Sequence, residues 1–198
     1  MSTRSYVSPV RSAVAAEKRD AVVQAATQFL RERSISEFSL DAIARSAGVT
    51  RLTVYNQFGS RKGLLEAVLD AIADGGKLGR LGTAIDLPDP WDALERLVEI
   101  FCDFWVSDPA IARLHDAIAI EQEFGEALIA RNERRRKILT ALIGRISSAP
   151  AAEQRKIVDL VFALTSSAMY RSLSNGRSKK VTREIIWAAT TDAVKRLE

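Results

Sequence analysis

The chain has 198 residues, of which 47% are hydrophobic and 27% are charged, a balance typical of globular proteins in water. No apolar run approaches the roughly 20 residues that cross a bilayer, and the N-terminus lacks the apolar core of a signal peptide, so we expect a cytoplasmic protein with no membrane partner. Residues 1–70 carry ten Lys or Arg against seven Asp or Glu, and the rest of the chain carries nineteen against eighteen. This N-terminal basic excess favours nucleic acid, although an excess of that size decides little by itself.

Apolar residues recur at helical spacing along the chain and no stretch alternates like a strand, which predicts an all-α fold. Residues 1–16 lack this periodicity and are predicted to be a flexible arm. Ser39, Thr50 and Ser60 are typical helix N-caps. Four helices are therefore predicted in the first part of the chain, over about residues 17–33, 40–46, 51–57 and 61–73.

The second part of the chain begins with residues 74–89, which hold four glycines and a proline and are predicted to be a linker. Asp89-Pro90 and Asp108-Pro109 each place a capping carboxylate before a proline of the first helical turn, which predicts two helix starts. Three more helices are predicted, over about residues 122–147, from Pro150 to Asn175, and from a cap at Thr182 to the C-terminus. The total is about nine helices.

Residues 40–58, which read LDAIARSAGVTRLTVYNQF, satisfy the requirements of a helix-turn-helix corner. Ala44 is small enough to let the next helix approach, and Gly48 stands at the turn, where glycine readily adopts the left-handed backbone conformation. Val54 and Phe58 would bury the inner face of the third helix and leave its polar residues outward. Short corners of this kind also occur in enzymes without a DNA role, so the corner alone leaves both interpretations open.

The outward residues of that third helix carry groups suited to base edges and phosphates. Arg51 can bind guanine through two hydrogen bonds or grip a phosphate, Asn56 can read adenine, and Tyr55 can donate its hydroxyl to a phosphate. In the arm, Arg4 or Arg11 would add minor-groove contacts; a disordered tail is the alternative.

Residues 17–72 resemble the DNA-binding domain of the TetR family of regulators. The resemblance is carried by Phe29-Leu30 at the end of the first helix, by AIARSAGV and TVYNQF, and by the Ser-Arg start of the fourth helix. It implies an all-α protein in which a three-helix DNA-binding domain with the helix-turn-helix, over residues 17–73, precedes a helical bundle for effector binding and dimerisation, over residues 90–198.

The resemblance also implies which side chains meet double-stranded operator DNA: Ser39, Thr50, Arg51, Leu52, Thr53, Tyr55, Asn56 and Arg61. Ser39 and Thr50 would contact phosphates at two helix starts. Arg61 would grip a phosphate beside the N-terminal amides of the fourth helix, and Tyr55 would contact the DNA backbone. The others would face the major groove.

Two positions depart from the family pattern. Leu52 stands where family members often carry glycine or another small residue, so it would either contact a thymine methyl or limit how deeply the helix enters the groove. Gly63 lowers the helix propensity of the first turn of the fourth helix.

Residues 90–198 hold no catalytic constellation, phosphate-binding loop or nucleophile elbow, so we expect no enzyme, no cofactor and no metal. The single histidine, His115, is interpreted as a structural or surface residue rather than as a partner of Glu121 or Glu123. The single cysteine, Cys102, is expected to be a small buried hydrophobe and excludes an intrachain disulfide. The basic run RNERRRK, residues 131–137, is interpreted as a solvated helix face.

The family resemblance implies a small-molecule cavity between the central helices, although the same side chains would equally fill a helical core. The candidate effector-pocket residues are Phe101, Phe104, Trp105, His115, Phe124, Phe162, Thr165, Met169 and Tyr170. The last two predicted helices are apolar over wide arcs. The resemblance implies that they pair with their symmetry mates in a homodimer, and a role in the core alone is the alternative.

The function expected from these patterns is transcriptional regulation by sequence-specific DNA binding, with an unknown small-molecule effector releasing a repressor from its operator. One alternative is a helical small-molecule-binding protein or enzyme that keeps the corner without DNA activity; Arg51, Tyr55 and Arg61 argue against it. A DNA-binding protein without any effector is the other.

Overall fold

The computed structural model describes residues 9–117 and 122–197, with side chains for residues 13–115, 125–126 and 128–197. Within these residues the fold is all-α, as predicted, and contains no strand. Its helices are α1 (Pro9–Glu32), α2 (Leu40–Ser46), α3 (Arg51–Phe58), α4 (Arg61–Gly75), α5 (Arg80–Ile85), α6 (Pro90–Trp105), α7 (Pro109–Ala117), α8 (Gln122–Ile146), α9 (Ala151–Leu164), α10 (Ser167–Ser174) and α11 (Lys179–Lys195). Among the described helices, none is both long and apolar enough to span a membrane.

The chain divides into two compact units, one ending at Ile72 and the other starting at Ala73. In the first unit, α1, α2 and α3 pack on one another around a core completed by the apolar face of α4. The side chains that share this core and are fully shielded from solvent are Val22, Ala26, Leu30, Ile43, Val54, Leu64, Leu65 and Val68. In the second unit, α6 lies centrally and packs against α5, α8, α10 and α11.

Side-chain caps start several helices where the sequence predicts them. The hydroxyls of Ser39, Thr50 and Ser60 accept backbone N–H groups three residues further on, at 3.0–3.2 Å. The carboxylates of Asp89 and Asp108 accept N–H groups two residues further on, at 2.7 and 2.8 Å. Each cap satisfies a donor that the helix itself leaves unpaired, and each such interaction stabilises a helix by about 1 kcal/mol.

The predicted flexible arm is wrong for residues 9–16, because α1 begins at Pro9. Proline suits the first helical turn. A tertiary contact then supports the early turns: Gln57 donates a side-chain hydrogen bond to the carbonyl of Ala15. Arg4 and the side chain of Arg11 lie outside the described residues, so the expected minor-groove contacts stay a prediction.

The predicted linker over residues 74–89 is also wrong in its interior, where α5 forms and packs against α6. Arg145, at the end of α8, donates to the backbone carbonyls of Ile85, Leu87 and Pro88. A single long side chain thus satisfies the carbonyl of the last residue of α5 and two carbonyls of the segment that follows it. This contact is distant along the chain, so the glycine-rich local sequence gives no sign of it.

The long eighth helix predicted from Pro150 to Asn175 is two helices, α9 and α10. The break falls at Thr165 and Ser166, where Ser166 takes an extended conformation and caps α10 by accepting the N–H of Met169. The last helix begins at Lys179, capped by Ser178. The cap predicted at Thr182 is therefore misplaced by one turn, and the Thr182 hydroxyl instead donates to the carbonyl of Ser178.

Candidate DNA-binding face and buried arginine cluster

The corner between α2 and α3 has the geometry that a helix-turn-helix requires. Gly48 has a φ of +65°, in the left-handed region that favours glycine. The N–H of Val49 donates to the carbonyl of Ala44 at 3.0 Å, which closes the turn. Ile43 and Val54 are fully buried on the inner faces of the two helices. The inner side of α3 is therefore anchored and its orientation is set by the core.

The outer side of α3 is exposed. Leu52 and Tyr55 are 65% and 55% exposed, although large apolar and aromatic side chains are usually covered. Arg51 and Asn56 are exposed beside them. Because positions three and four apart share a side of a helix, Leu52, Tyr55 and Asn56 form one face. We call the exposed residues Arg51, Leu52, Tyr55 and Asn56 the α3 face.

Arg51 already has one partner within the first unit. Its guanidinium lies 3.5 Å from the carboxylate of Asp41 in the first turn of α2, and both side chains are at least half exposed. An exposed ion pair of this kind contributes at most about 1 kcal/mol. Arg51 is thus oriented at the corner and remains available to a stronger anionic partner.

The hydroxyl residues predicted to contact phosphates cap helices in this structure. Thr50 accepts the N–H of Thr53, and the two hydroxyls are 2.9 Å apart. Ser39 caps α2 and is half-buried. These groups lie at helix N-termini, where exposed amides favour anions, and their expected contacts with DNA stay predictions.

Arg61 is placed differently from the phosphate grip that the resemblance implies. Its Nε donates to the carbonyl of Phe38 at 2.7 Å, and its Nη2 donates to the carbonyl of Ile35 at 3.2 Å. The guanidinium therefore ties the segment before α2 to the start of α4. The carbonyl of Ile35 belongs to the short 3-10 turn Ile35–Glu37 and also accepts the N–H of Phe38 at 3.0 Å, and the carbonyl of Phe38 lies directly after that turn.

A contact that the sequence analysis missed holds α1 against the end of α3. Arg19 donates to the carbonyl of Gln57 at 3.0 Å, and its guanidinium lies 4.4 Å from the centre of the Phe58 ring. A cation over an aromatic face is attracted to the ring's negative quadrupole. The contact joins residues far apart along the chain, so no local pattern announces it.

Gly63 is explained by a close approach of α4 to α3. A Cβ atom at Gly63 would lie 2.1 Å from the carbonyl oxygen of Phe58, closer than any real Cβ contact. We expect Gly63→Ala to lower the free energy of unfolding by about 1–3 kcal/mol, although helix propensity alone favours alanine by about 1 kcal/mol. Urea denaturation measures this, with Gly75→Ala in the same helix as the control because nothing lies within 4 Å of its Cβ position. A stabilised Gly63→Ala variant would contradict the close approach.

The second unit contains a buried arginine that the sequence analysis took for a solvated residue. Arg135 is only 5% exposed, so the interpretation of residues 131–137 as a solvated face is wrong at this position. Its guanidinium carbon lies 4.0 Å from the ring centre of Phe162, 5.2 Å from that of Phe101 and 5.9 Å from that of Trp105. We call these four residues the Arg135 cluster.

Arg135 also holds the break between α9 and α10. Its Nη1 donates to the carbonyl of Thr165 at 2.9 Å and its Nη2 to the carbonyl of Phe162 at 3.3 Å. The indole N–H of Trp105 donates to the same Thr165 carbonyl at 3.0 Å. Side chains from α6 and α8 thus satisfy the carbonyls that the interrupted helix leaves free.

Burial leaves this cation poorly compensated. Burial, with a further contribution from the charge of Arg136, lowers the pKa of Arg135 to about 10, so the guanidinium is still protonated at neutral pH. Among the described residues no carboxylate pairs with Arg135, whereas Arg136 pairs with both Asp159 and Glu133. The Nε of Arg135 is buried and has no hydrogen-bond partner among the residues that the structure describes.

Helical spacing offered a signal for this burial. Leu128, Arg135, Leu139 and Leu142 lie at intervals of seven, four and three residues, which is one stripe of a helix. The three leucines are all buried. The flanking charges of residues 131–137 obscured the fact that Arg135 occupies a core position.

The structure brings together most of the predicted effector-pocket residues. Phe101 stacks on Trp105, the ring of His115 meets Trp105 edge-on at 5.2 Å, and the ring centres of Phe104 and Trp105 are 5.0 Å apart. Thr165 and Phe162 join them through Arg135. Met169 is half-buried after the break, and the side chain of Phe124 lies outside the described residues.

Tyr170 packs with Val98, Cys102 and Ile186, and Trp105 packs against this same group. Cys102 is 2% exposed, which confirms its prediction as a small buried hydrophobe. Burial, reinforced by the neighbouring Asp103 carboxylate, raises the pKa of its thiol to about 12. Within the described residues, no group of three or more His, Cys, Asp or Glu side chains is placed to hold a metal ion.

Two further surface features lie on the second unit. A groove of about 450 Å³ runs between α6 and α11 and is lined by Trp187 and by charged side chains such as Glu95 and Arg183.

Separately, α9 and α11 expose large apolar side chains: Leu160 is 41% exposed, Val181 41% and Ile185 36%. Exposed apolar groups on two neighbouring helices are typical of a protein–protein contact.

A helix-turn-helix corner with an exposed polar and aromatic face, joined to a separate helical unit, defines the chain as a two-unit helix-turn-helix protein. Residues 22–68 match the family model of bacterial regulatory proteins of the tetR family. Residues 88–192 match the model of a tetracyclin repressor-like C-terminal domain. The chain belongs to the TetR family.

Individual relatives agree with this assignment. The chain is 30% identical over 112 residues to the HTH-type transcriptional regulator EthR of Mycolicibacterium smegmatis. The aligned region covers 56% of this chain and 52% of that protein. Matches to the curated relatives span between 38% and 62% of their lengths.

Solved structures share the fold over nearly the whole chain. A putative TetR-family transcriptional regulator from Rhodococcus sp. is 20% identical, with a TM-score of 0.71 over 90% of this chain and 99% of that one. NalD, the secondary repressor of the MexAB-OprM multidrug efflux pump in Pseudomonas aeruginosa, is also 20% identical, with a TM-score of 0.69 over 91% and 97%. At these identities the similarity shows the fold alone.

Proposed function

We propose that this protein is a homodimeric, sequence-specific transcriptional regulator, and that a small-molecule effector releases it from its operator. The observation that carries the proposal is the α3 face. A buried inner side holds α3 in place, while Leu52 and Tyr55 are left more than half exposed beside Arg51 and Asn56. A short helix with such an outer face suits insertion into a major groove, where polar groups read base edges and an apolar group meets the thymine methyl.

Phosphate contacts would come from the helix starts that flank the α3 face. The first turns of α2, α3 and α4 present backbone amides, and anions bind favourably at such N-termini. Since Arg61 is engaged with the carbonyls of Phe38 and Ile35, its part in our proposal is to position the start of α4 beside a phosphate. The amides of that turn, rather than the guanidinium, would make the contact.

Dimerisation would place two α3 faces on one side of the DNA. We assign the contact to α9 and α11, where Leu160, Val181 and Ile185 are exposed on the isolated chain. In a two-fold dimer each exposed patch buries the same patch of its mate. Two recognition helices about 34 Å apart would then enter successive major grooves of a palindromic site.

The effector would bind among the aromatic side chains around Trp105 in the second unit. Several elements meet there, namely α6, α7, α8 and the break after α9, so an occupant would bias how these helices pack. Coupling between effector and operator is reciprocal, because both act on the same conformational equilibrium. Operator DNA should therefore weaken effector binding by the same factor by which the effector weakens operator binding.

The experiment that tests the function is footprinting of the purified chain on the DNA flanking its own gene, with and without a small-molecule extract. A protected palindrome that the extract releases is the expected result. The alternative of a helical binding protein without DNA activity predicts no protection and no salt-dependent retention on a DNA resin. A protected site that no extract releases would instead indicate a DNA-binding protein without an effector.

A further inference from the structure

We propose that the second unit binds an organic carboxylate with an apolar body, and that Arg135 holds the carboxylate group within the Arg135 cluster. The proposal names the chemical class of the effector and in that respect rests on the proposed function. The binding site itself requires only the second unit, so it can be tested without DNA.

The first reason is the charge of the site. Arg135 is 5% exposed, and among the residues that the structure describes no carboxylate pairs with it. A buried cation is costly unless an anion or several oriented dipoles compensate for its lost hydration. The carbonyls of Phe162 and Thr165 give part of that compensation and add no negative charge. A ligand with one negative charge would complete it.

The second reason is the unfinished hydrogen bonding of the guanidinium. Arginine has five N–H donors in a planar fork that matches a carboxylate. The Nε of Arg135 is buried and finds no partner within the described part of the chain, so at least one strong donor is unused there. Buried polar groups are nearly always paired, so an unpaired one calls for an explanation, and a bound ligand that accepts its hydrogen bond is one.

The third reason is what surrounds the guanidinium. The rings of Phe101, Trp105 and Phe162 all lie within 6 Å of it, and His115 meets Trp105 from α7. Such walls favour a ligand whose bulk is apolar. A phosphate would bring close to two negative charges against one cation in an aromatic setting, whereas a carboxylate brings one. The chemistry therefore favours a carboxylate joined to an aliphatic or aromatic body.

A purely structural role is the competing explanation, in which Arg135 only ties α8 to the break after α9. The two explanations differ in one respect that can be measured. A structural arginine makes no distinction between an anionic ligand and a neutral ligand of the same shape, whereas a carboxylate site does.

The test measures the binding of matched probes to the full chain by calorimetry and by the shift in melting temperature. The probes are octanoate and 4-phenylbutyrate, each paired with the corresponding primary alcohol. We expect each carboxylate to bind the wild-type chain at least about 30-fold more tightly than its alcohol, the range of a buried charge-assisted contact. Arg135→Met should remove that preference, and Arg134→Met, at an exposed neighbouring position, should keep it.

Equal binding of carboxylate and alcohol by the wild-type chain would overturn the proposal, and so would the absence of binding by both carboxylates at millimolar concentration. The comparison of carboxylate and alcohol on the wild-type chain tests the proposal even if Arg135→Met fails to fold. Arg135→Lys keeps the positive charge and should retain part of the preference for the carboxylate. Carboxylate binding that leaves operator affinity unchanged would support the site and refute its role as the effector site. If the chain binds no operator DNA even without a carboxylate, the proposed function is refuted, whereas the carboxylate site is not.

Discussion

Arg51→Glu should weaken operator binding by at least about 100-fold and leave the melting temperature almost unchanged. The substitution removes a charge-assisted contact worth several kcal/mol and places a carboxylate against DNA phosphates. The same carboxylate would face Asp41, the present partner of Arg51, but this pair is exposed and its loss costs little. Fluorescence anisotropy on the footprinted operator measures the affinity. If Arg51 grips a phosphate, its loss should also reduce the salt dependence of binding, whereas the loss of a guanine contact should not.

Two further variants sharpen this result. Arg51→Lys should recover much of the affinity if Arg51 grips a phosphate, and little if it reads guanine through two hydrogen bonds, because lysine lacks the planar fork. Arg134→Glu changes the net charge equally at an exposed position of α8 and should bind like the wild type. Unchanged operator affinity in Arg51→Glu would show that α3 does not dock as we propose.

Leu160→Glu and Ile185→Glu should each convert the homodimer into a monomer at micromolar concentration. In a two-fold dimer one substitution introduces two unpaired carboxylates into an apolar contact, at a cost of several kcal/mol. Each side chain is more than a third exposed on the isolated chain, so the fold of the monomer should be retained. Sedimentation measures the oligomeric state, and circular dichroism checks the helical content.

Monomeric variants should also bind the palindromic operator about 100- to 10,000-fold more weakly. In the dimer, binding at one half-site raises the effective concentration of the second recognition helix at the other half-site, and a monomer lacks this gain. Ile129→Glu is the matched control, since Ile129 is 59% exposed on α8 and outside the two helices assigned to the contact. Its dimerisation and operator binding should match those of the wild type. A dimer that survives both Leu160→Glu and Ile185→Glu would place the contact on another surface.

The sequence by itself determined the local features of the first unit. Ser39, Thr50 and Ser60 cap their helices through bonds that span three residues, so the pattern that predicts them also contains the groups that form them. Gly48 was predictable for the same reason, because the left-handed turn is a property of one residue. The alternation of buried and outward positions along α3 then follows from helical periodicity. The exposed α3 face was thus available from the sequence.

Other features were decided by the tertiary structure alone. Arg61 is bonded to carbonyls more than twenty residues away, Arg135 to carbonyls about thirty residues away, and Gly63 is required by an atom of another helix. The break at Thr165 likewise depends on Trp105 and Arg135. In each case the contribution of the residue to stability depends on partners that only folding brings near. The spacing of Arg135 with the buried leucines of α8 indicates a core-facing position, but it does not show whether the partner of the charged group will be a carbonyl, a ring or an anion, because those partners come from other helices.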